Sequence, residues 1–219
     1  MNDEIIRTIA VYALPLIFAI TLHEAAHGYV AKYFGDMTAY SQGRVSLNPV
    51  VHIDLMGTIV IPALLYAIGS PFLFGYAKPV PVNFGNLRKP KQQMAWVALA
   101  GPAANLLMAF LWMIFIVILH VLRADLEFFL KMAQAGVSVN LALFAFNLFP
   151  IPPLDGGRIL VSLLPHKYAF KVAQIEPYGF FIVMALAYVQ ALRFWMVPMM
   201  VMANAFLGLL IYPFTFLLS

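Results

Sequence analysis

Two histidines and a glutamate form the strongest chemical signal in the sequence. His23, Glu24 and His27 stand in the pattern His-Glu-x-x-His within a long apolar run. Residues four apart share one face of a helix, so both imidazoles can reach a single metal ion. Imidazole is a common zinc ligand, and catalytic zinc usually has three protein ligands plus a water, whose pKa it lowers towards roughly 7. Glu24, beside that water, can accept its proton as a general base.

An alternative interpretation is that these histidines only pack in a helix bundle and bond to backbone groups. Ionisable groups are costly inside a membrane segment and are therefore functional candidates by default. The apolar surroundings of His23 and His27 favour the metal-site interpretation for that reason.

A third metal ligand is needed, and Asp155 is the best candidate. It follows a proline-rich stretch at 150–154 and precedes two glycines at 156–157. Proline cannot continue a helix and glycine permits unusual backbone angles, so we expect an unwound segment here. At membrane depth such a segment is tolerated only where it is buried or lines a watery cavity. Spacing alone leaves two roles open for Asp155, a metal ligand or an ordinary loop aspartate outside the bilayer.

The composition of the chain indicates the class of protein that positions these residues. Of the 219 residues 63% are hydrophobic and only 10% are charged, and the mean hydropathy is +0.90. Soluble domains are closer to half apolar and about a quarter charged. The chain is therefore expected to be an integral membrane protein with the lipid bilayer as its main partner. Its 13 basic residues fit loops that face anionic lipid better than a nucleic-acid surface.

The apolar runs predict an all-α polytopic bundle of about five to six membrane segments. They lie at about 5–34, 55–74, 94–121, 135–149, 177–192 and 195–218. The N-terminus is acidic where a signal peptide is basic, so we expect the first run to be retained. We expect one membrane-embedded domain over 1–219, with a core at 5–160 and accessory C-terminal helices at 177–218.

Two stretches depart from simple spanning helices. Residues 55–74 contain Pro62, Gly69 and Pro71, which suit a re-entrant segment. The Lys-Pro-Val-Pro-Val run at 78–82 is expected to be extended, because proline disfavours helix in the preceding residue. The extended stretch at 77–82 could pair with a substrate as an added strand.

Three motifs in order resemble the site-2 protease family of intramembrane zinc metalloproteases. They are His-Glu-x-x-His, then Gly101-Pro102-x-x-Asn105, then Asn147-x-x-Pro150-x-x-x-Leu154-Asp155-Gly156. The resemblance spans roughly residues 15–160 and is closest to short members without a PDZ or other soluble domain. It implies one zinc ion per chain with Asp155 as third ligand. It also implies that Asn147 holds the substrate or transition state, and that Asn105 either does the same or braces the site.

The function expected from this resemblance is hydrolysis of peptide bonds in or near the transmembrane segments of protein or peptide substrates. Two alternatives stay open. One is a metal transporter, which would predict polar groups reaching both faces and often an inverted repeat. The other is a proteolytically silent family member that binds membrane proteins, against which the intact Glu24 argues.

The distribution of basic residues predicts the topology. If all six segments cross, eight of the basic residues lie on the same side as the N-terminus and five lie opposite. That arrangement would put the N-terminus in the cytoplasm. If 55–74 returns to its own side, nine share the side of the site, and four lie opposite: Arg7, Arg123, Lys131 and Arg193. The positive-inside rule favours the second arrangement. We therefore expect an external N-terminus and a zinc site towards the cytoplasmic face of a prokaryotic cell membrane.

The remaining histidines are expected to have modest roles. His52 follows Asn48-Pro49, and such a histidine more often bonds within its loop than reaches a metal ion. His120 and His166 fall near predicted helix ends, where they would face headgroups or loops.

Overall fold

Helices dominate the chain, because in lipid every backbone N–H and C=O must be paired within its own segment. The computed structural model describes residues 2–69, 75–122 and 127–215. The helices are α1 (Asn2–Phe34), α2 (Thr38–Ser41), α3 (Ile61–Ala67), α4 (Pro90–Val121), α5 (Glu127–Asn147), α6 (Asp155–Leu163), α7 (His166–Ala173), α8 (Glu176–Tyr188) and α9 (Arg193–Thr215). Short 3-10 turns occur at Pro49–His52 and Phe84–Asn86, and a π-helical turn at Leu55–Val60. No β-strand occurs within the described ranges, which confirms the all-α prediction.

Four helices are long and apolar enough to cross a membrane: α1, α4, α5 and α9. A fifth crossing is available only if α7 and α8, which meet at an angle of 64°, act together as one broken span. The chain is a polytopic helical membrane protein with four candidate spans, or five with the broken pair, against about five to six predicted membrane segments of which one was expected to re-enter.

The central unit consists of α1, α4 and α5, each of which packs against the other two. Helix α6 packs on α4, and α9 packs on α5 and α4. Buried Ala109, Leu141, Ala203 and Leu207 fill the space between α4, α5 and α9. Small residues such as the two alanines let helix backbones approach closely in a bilayer, where dispersion rather than the hydrophobic effect drives packing.

Helix α9 starts at the same end of the bundle as the C-terminus of α5. The Trp195 indole N–H donates to the carbonyl oxygen of Ala145 at 2.9 Å. The Trp195 ring also contacts the ring of Phe149, with centroids 5.7 Å apart. Arg193 at the start of α9 therefore lies at the end where α5 finishes. The prediction that Arg193 lies opposite the site is wrong, because α8 is too short at 13 residues to cross a bilayer alone.

The chain just before and at the start of the 55–74 segment lies beside the chain just after it. The Tyr76 N–H donates to the Gly57 carbonyl at 3.0 Å, and the Lys78 N–H donates to the His52 carbonyl at 2.9 Å. These bonds bring the chain back to where it left, as expected for a segment that returns rather than crosses. Residues 70–74 lie outside the described residues. Residues 75–83 have no helix or strand assignment, so the run at 78–82 is not helical, in agreement with its prolines.

Candidate metal centre

Three ligand atoms from two distant parts of the chain converge on one point. The Nε2 atoms of His23 and His27 lie 3.1 Å apart. Oδ2 of Asp155 lies 3.2 Å from Nε2 of His23 and 3.3 Å from Nε2 of His27. Ligand atoms about 2.0–2.2 Å from one zinc ion stand roughly 3.3 Å apart in a tetrahedral arrangement. The spacing of the three atoms therefore matches a shared metal ion.

Hydrogen bonds on the far side of each ring fix the orientation of both imidazoles. Nδ1 of His23 donates to Oδ1 of Asn105 at 2.6 Å. Nδ1 of His27 donates to the backbone carbonyl of Val97 at 2.7 Å. A carbonyl oxygen only accepts, so each ring donates from Nδ1 and turns its Nε2 towards the common point. This outer support is typical of metal-bound histidine.

The cluster has the chemistry of a cation site. Two Nε2 atoms and a carboxylate oxygen converge on one point in a buried site. Oδ2 of Asp155 is buried and has no hydrogen-bond partner within the described residues. Buried polar atoms are nearly always satisfied, so an orphaned carboxylate oxygen calls for an explanation. A divalent cation at the common point satisfies all three atoms, and this donor set suits zinc.

Asp155 reaches the site because α6 begins there. It is the first residue of α6, where the partial positive charge of a helix N-terminus favours a carboxylate. The glycines that follow it have ordinary backbone angles and are needed for close packing instead. A Cβ on Gly156 would stand 2.6 Å from the carbonyl oxygen of Phe149, and one on Gly157 would stand 2.6 Å from Cδ of Pro152. The expectation of unusual glycine angles is thus wrong.

Gly101 lets α4 pass directly against the two imidazoles. A Cβ at this position would lie 2.6 Å from Nε2 of His23 and still closer to Nε2 of His27. Any larger residue would therefore occupy the space of the ligand atoms. The sequence marks Gly101 only as part of a family motif and does not predict this steric role.

Asn105 stands behind His23 and does not line the cavity. It is fully buried, and its Nδ2 donates to the Ala19 carbonyl at 3.1 Å and to Oδ1 of Asn140 at 3.0 Å. Asn140 in turn donates to the Gly136 carbonyl at 2.8 Å. Its side-chain groups are all engaged within the protein, so this geometry fits the bracing role of Asn105 and not substrate binding. Asn140 was not predicted, because a lone asparagine in an apolar helix gives no motif.

Glu24 lines the cavity and is held by the non-helical segment after residue 75. Its Oε2 accepts the Val80 N–H at 2.7 Å. The Lys78 N–H is bonded to His52, and the carbonyls of Lys78 and Pro79 accept from Arg44 at 2.8 and 3.3 Å. These groups are occupied within the protein, which argues against strand addition at residues 78–80. No sequence signal pointed to Val80.

A cavity of about 140 Å³ contains the three ligand residues and Glu24. Asn147 lines it from the end of α5, and its Nδ2 donates to the Leu143 carbonyl at 3.0 Å. Arg158, one helical turn after Asp155, also lines it. The structure thus brings five of the six predicted site residues to one cavity and places the sixth, Asn105, behind it.

The other histidines stay outside the cluster. His52 is buried, and its Nε2 bonds to the carbonyl oxygen of Ser46 at 2.9 Å, which confirms a role within its loop. His120 bonds to the Ile116 carbonyl in its own helix. His166 is exposed at the start of α7.

Fold and site together define a polytopic membrane protein with a metal centre of the zinc metalloprotease type. Comparison with known proteins agrees. The family model of peptidase family M50 matches residues 120–189. YwhC of Bacillus subtilis, provisionally named as a zinc metalloprotease, is 40% identical over 182 residues, which cover 79% of this chain and 78% of that protein.

Further relatives carry names of the same kind. Rip2 of Mycolicibacterium smegmatis is 30% identical over 183 residues, covering 82% of this chain and 67% of that protein. Rip2 of Mycobacterium tuberculosis is 28% identical with the same coverage. No solved structure shows significant similarity to the chain. The chain belongs to peptidase family M50, the zinc metalloproteases of the site-2 protease type. These relatives favour the metalloprotease over the transporter.

Proposed function

We propose that this protein is an intramembrane endopeptidase that hydrolyses peptide bonds in or near the transmembrane segments of membrane-protein substrates. The observation that carries this proposal is the position of the site. His23, Glu24 and His27 lie in the second half of a membrane-spanning helix and share a cavity with Asp155. Polar and ionisable groups at such a position are retained for function.

The residues divide the chemistry among them. His23, His27 and Asp155 would hold zinc, which when bound polarises a carbonyl group and lowers the pKa of water. Glu24 accepts a proton from the attacking water as the oxygen bonds to the peptide carbon. It then delivers that proton to the departing amide nitrogen as the C–N bond breaks.

Two further groups position the reactants. The hydrogen bond from Val80 fixes one oxygen of Glu24, so the carboxylate is held in place before substrate arrives. Asn147 lines the cavity beside Glu24, and its amide can bond the backbone of an unwound substrate or the developing oxyanion.

The catalytic unit proposed here is the core at 5–160, with the helices at 177–218 as accessory walls of a single domain. We place the protein in the cell membrane, as a prokaryotic protein whose site faces the cytoplasmic side. Nine of the 13 basic residues fall in segments assigned to the site end, and Arg193 at the start of α9 now joins them. The excess of basic residues at the site end is therefore larger than predicted. The positive-inside rule associates the side with more basic residues with the cytoplasm.

The test is a Glu24→Gln variant that carries the same zinc as the wild type. Glutamine keeps an oxygen for the Val80 N–H but cannot act as a base, so the rate of cleavage should fall by roughly 10²–10⁴-fold. Zinc content, measured by mass spectrometry, should not change, because Glu24 is not one of the converging ligands. Cleavage at the wild-type rate would refute the assignment of Glu24.

A further inference from the structure

A second cavity, of about 450 Å³, adjoins the metal centre and differs from it in chemistry. The two cavities share Glu24, Asn147 and Arg158 among their walls. The two cavities are therefore adjacent, and the first forms the polar end at the metal ligands. The other end lies between α1, α5 and α8, and its walls are mainly apolar: Ile20, Leu143, Phe146, Phe180 and Val183.

We propose that the apolar end is a subsite that binds one large apolar side chain, such as Leu, Met or Phe, from a residue flanking the scissile bond. This inference rests on the proposed function and extends the same site. A scissile carbonyl must lie between Glu24 and the metal ligands in order to react. The side chain of an adjacent residue then projects towards the second cavity, where the described walls beyond the shared residues are mainly apolar.

The size of the second cavity admits a large side chain, and its polarity selects an apolar one. An apolar cavity of about 150 Å³ already holds a benzene molecule, so 450 Å³ accommodates an aromatic or branched side chain. A charged side chain would lose its hydration there without gaining a partner. Arg158 at the junction is held against the Glu176 carboxylate at 3.4 Å, so an acidic residue would have to displace that partner. A small residue would bury less apolar surface there than Leu or Phe and would gain less from binding.

The subsite predicts a preference for a large apolar residue beside the scissile bond. Binding and cleavage are measured separately to detect it. The probes are synthetic membrane-spanning peptides of about 20 apolar residues with a central Asn-Gly pair that loosens the helix. The residue on each side of the cleavage position is varied in turn to Phe, Leu, Ala or Asp. Binding is measured on zinc-loaded Glu24→Gln, and kcat/KM is measured on the wild type.

Two matched substitutions locate the effect. Leu143→Phe adds a ring to the wall of the apolar cavity, one helical turn before Asn147. Leu107→Phe makes the same chemical change at a residue of α4 that is 58% exposed and lines neither cavity. Each is made in both the Glu24→Gln and the wild-type chain. Zinc content is measured on every variant as a check of folding, and Val183→Phe on α8 replaces Leu143→Phe if the latter does not hold zinc.

At one flanking position, Phe and Leu peptides should bind and be cleaved at least about tenfold better than Ala, and Asp should be worse still. Leu143→Phe should remove most of that preference, while Leu107→Phe should leave it within about twofold of the wild type. Equal binding across the series, or equal effects of the two substitutions, would overturn the subsite. Cleavage without such discrimination refutes the subsite and spares the proposed function. Discrimination in binding without any wild-type cleavage supports the subsite and refutes hydrolysis.

Discussion

One added methyl group at Gly101 tests the geometry of the metal centre. In the Gly101→Ala variant, the new Cβ would stand 2.6 Å from both Cε1 and Nε2 of His23. Non-bonded atoms of this kind stay about 3.5 Å apart or more. Either the rings or α4 must therefore retreat by about 1 Å, whereas metal–ligand distances tolerate only about 0.2 Å. We expect zinc binding to weaken by at least about 100-fold, the upper end of what loss of an outer-shell partner costs.

The assay is competition for zinc with a chelator of known affinity, on purified protein in detergent. Gly208→Ala in α9 is the matched control, because it makes the same change in a membrane-spanning helix where an added Cβ meets no atom of the described residues within 4 Å. Both variants gain the higher helix propensity of alanine, worth about 1 kcal/mol, so the difference between them isolates the clash. Zinc affinity of Gly101→Ala within about threefold of the control would contradict the placement of α4 against the imidazoles.

Three further predictions concern the support of the site and the topology. Asn105→Leu removes the acceptor for Nδ1 of His23 and should weaken zinc binding by roughly 10–100-fold in the same chelator assay; unchanged affinity would exclude the bracing role. For Asp36, burial raises the carboxyl pKa, but hydrogen bonds from neighbouring side chains and backbone N–H groups outweigh it and lower the pKa overall. Its stabilising contribution is therefore present above the unfolded pKa of about 3.9 and is lost as the pH falls through the lower folded value. Asp36→Asn should melt below the wild type at pH 7, and the gap should close in acid; a gap independent of pH would contradict this. The chain has no cysteine, so a single cysteine can be placed at Lys78 or at Glu127. The two variants should react with an impermeant maleimide from opposite sides of sealed vesicles. Labelling of both variants from the same side would refute the topology.

The metal ligands were predictable to different degrees. The spacing of His23 and His27 on a helix specifies a shared face, and this is a local property that any apolar helix preserves. Asp155 could be assigned only through its resemblance to a family. Its approach to the histidines depends on α5 ending, the chain reversing and α6 beginning beside α4, none of which a spacing of 128 residues specifies.

The residues that support the site were harder to recognise. Asn105 was expected either to bind substrate or to brace the site, and the choice depends on which way its helix face turns. In α4 it turns towards α1 and α5, where it bonds Ala19 and Asn140 as well as His23. The role of Val80 is carried by a backbone N–H, which every residue but proline possesses, so no side-chain pattern could indicate it.

The direction of α9 is a further feature that composition could not supply. Apolar runs near 177–192 and 195–218 look alike as spans, and counting crossings placed Arg193 opposite the site. The turn at 189–192, with Gln190 at a φ of 58°, joins a short α8 to an α9 that starts beside Ala145 and Phe149. Whether a short apolar helix crosses or returns is decided by its packing partners, which are distant in sequence.

The central claim is that His23, His27 and Asp155 together hold one zinc ion. The most direct test is the metal content of purified protein by mass spectrometry, with the wild type beside Asp155→Ala and His23→Ala. About one zinc per wild-type chain, lost or weakly held in both variants, is the predicted result. A wild type without zinc, or zinc retained undiminished in Asp155→Ala, would contradict the account, because the two sequence motifs would then not share a metal.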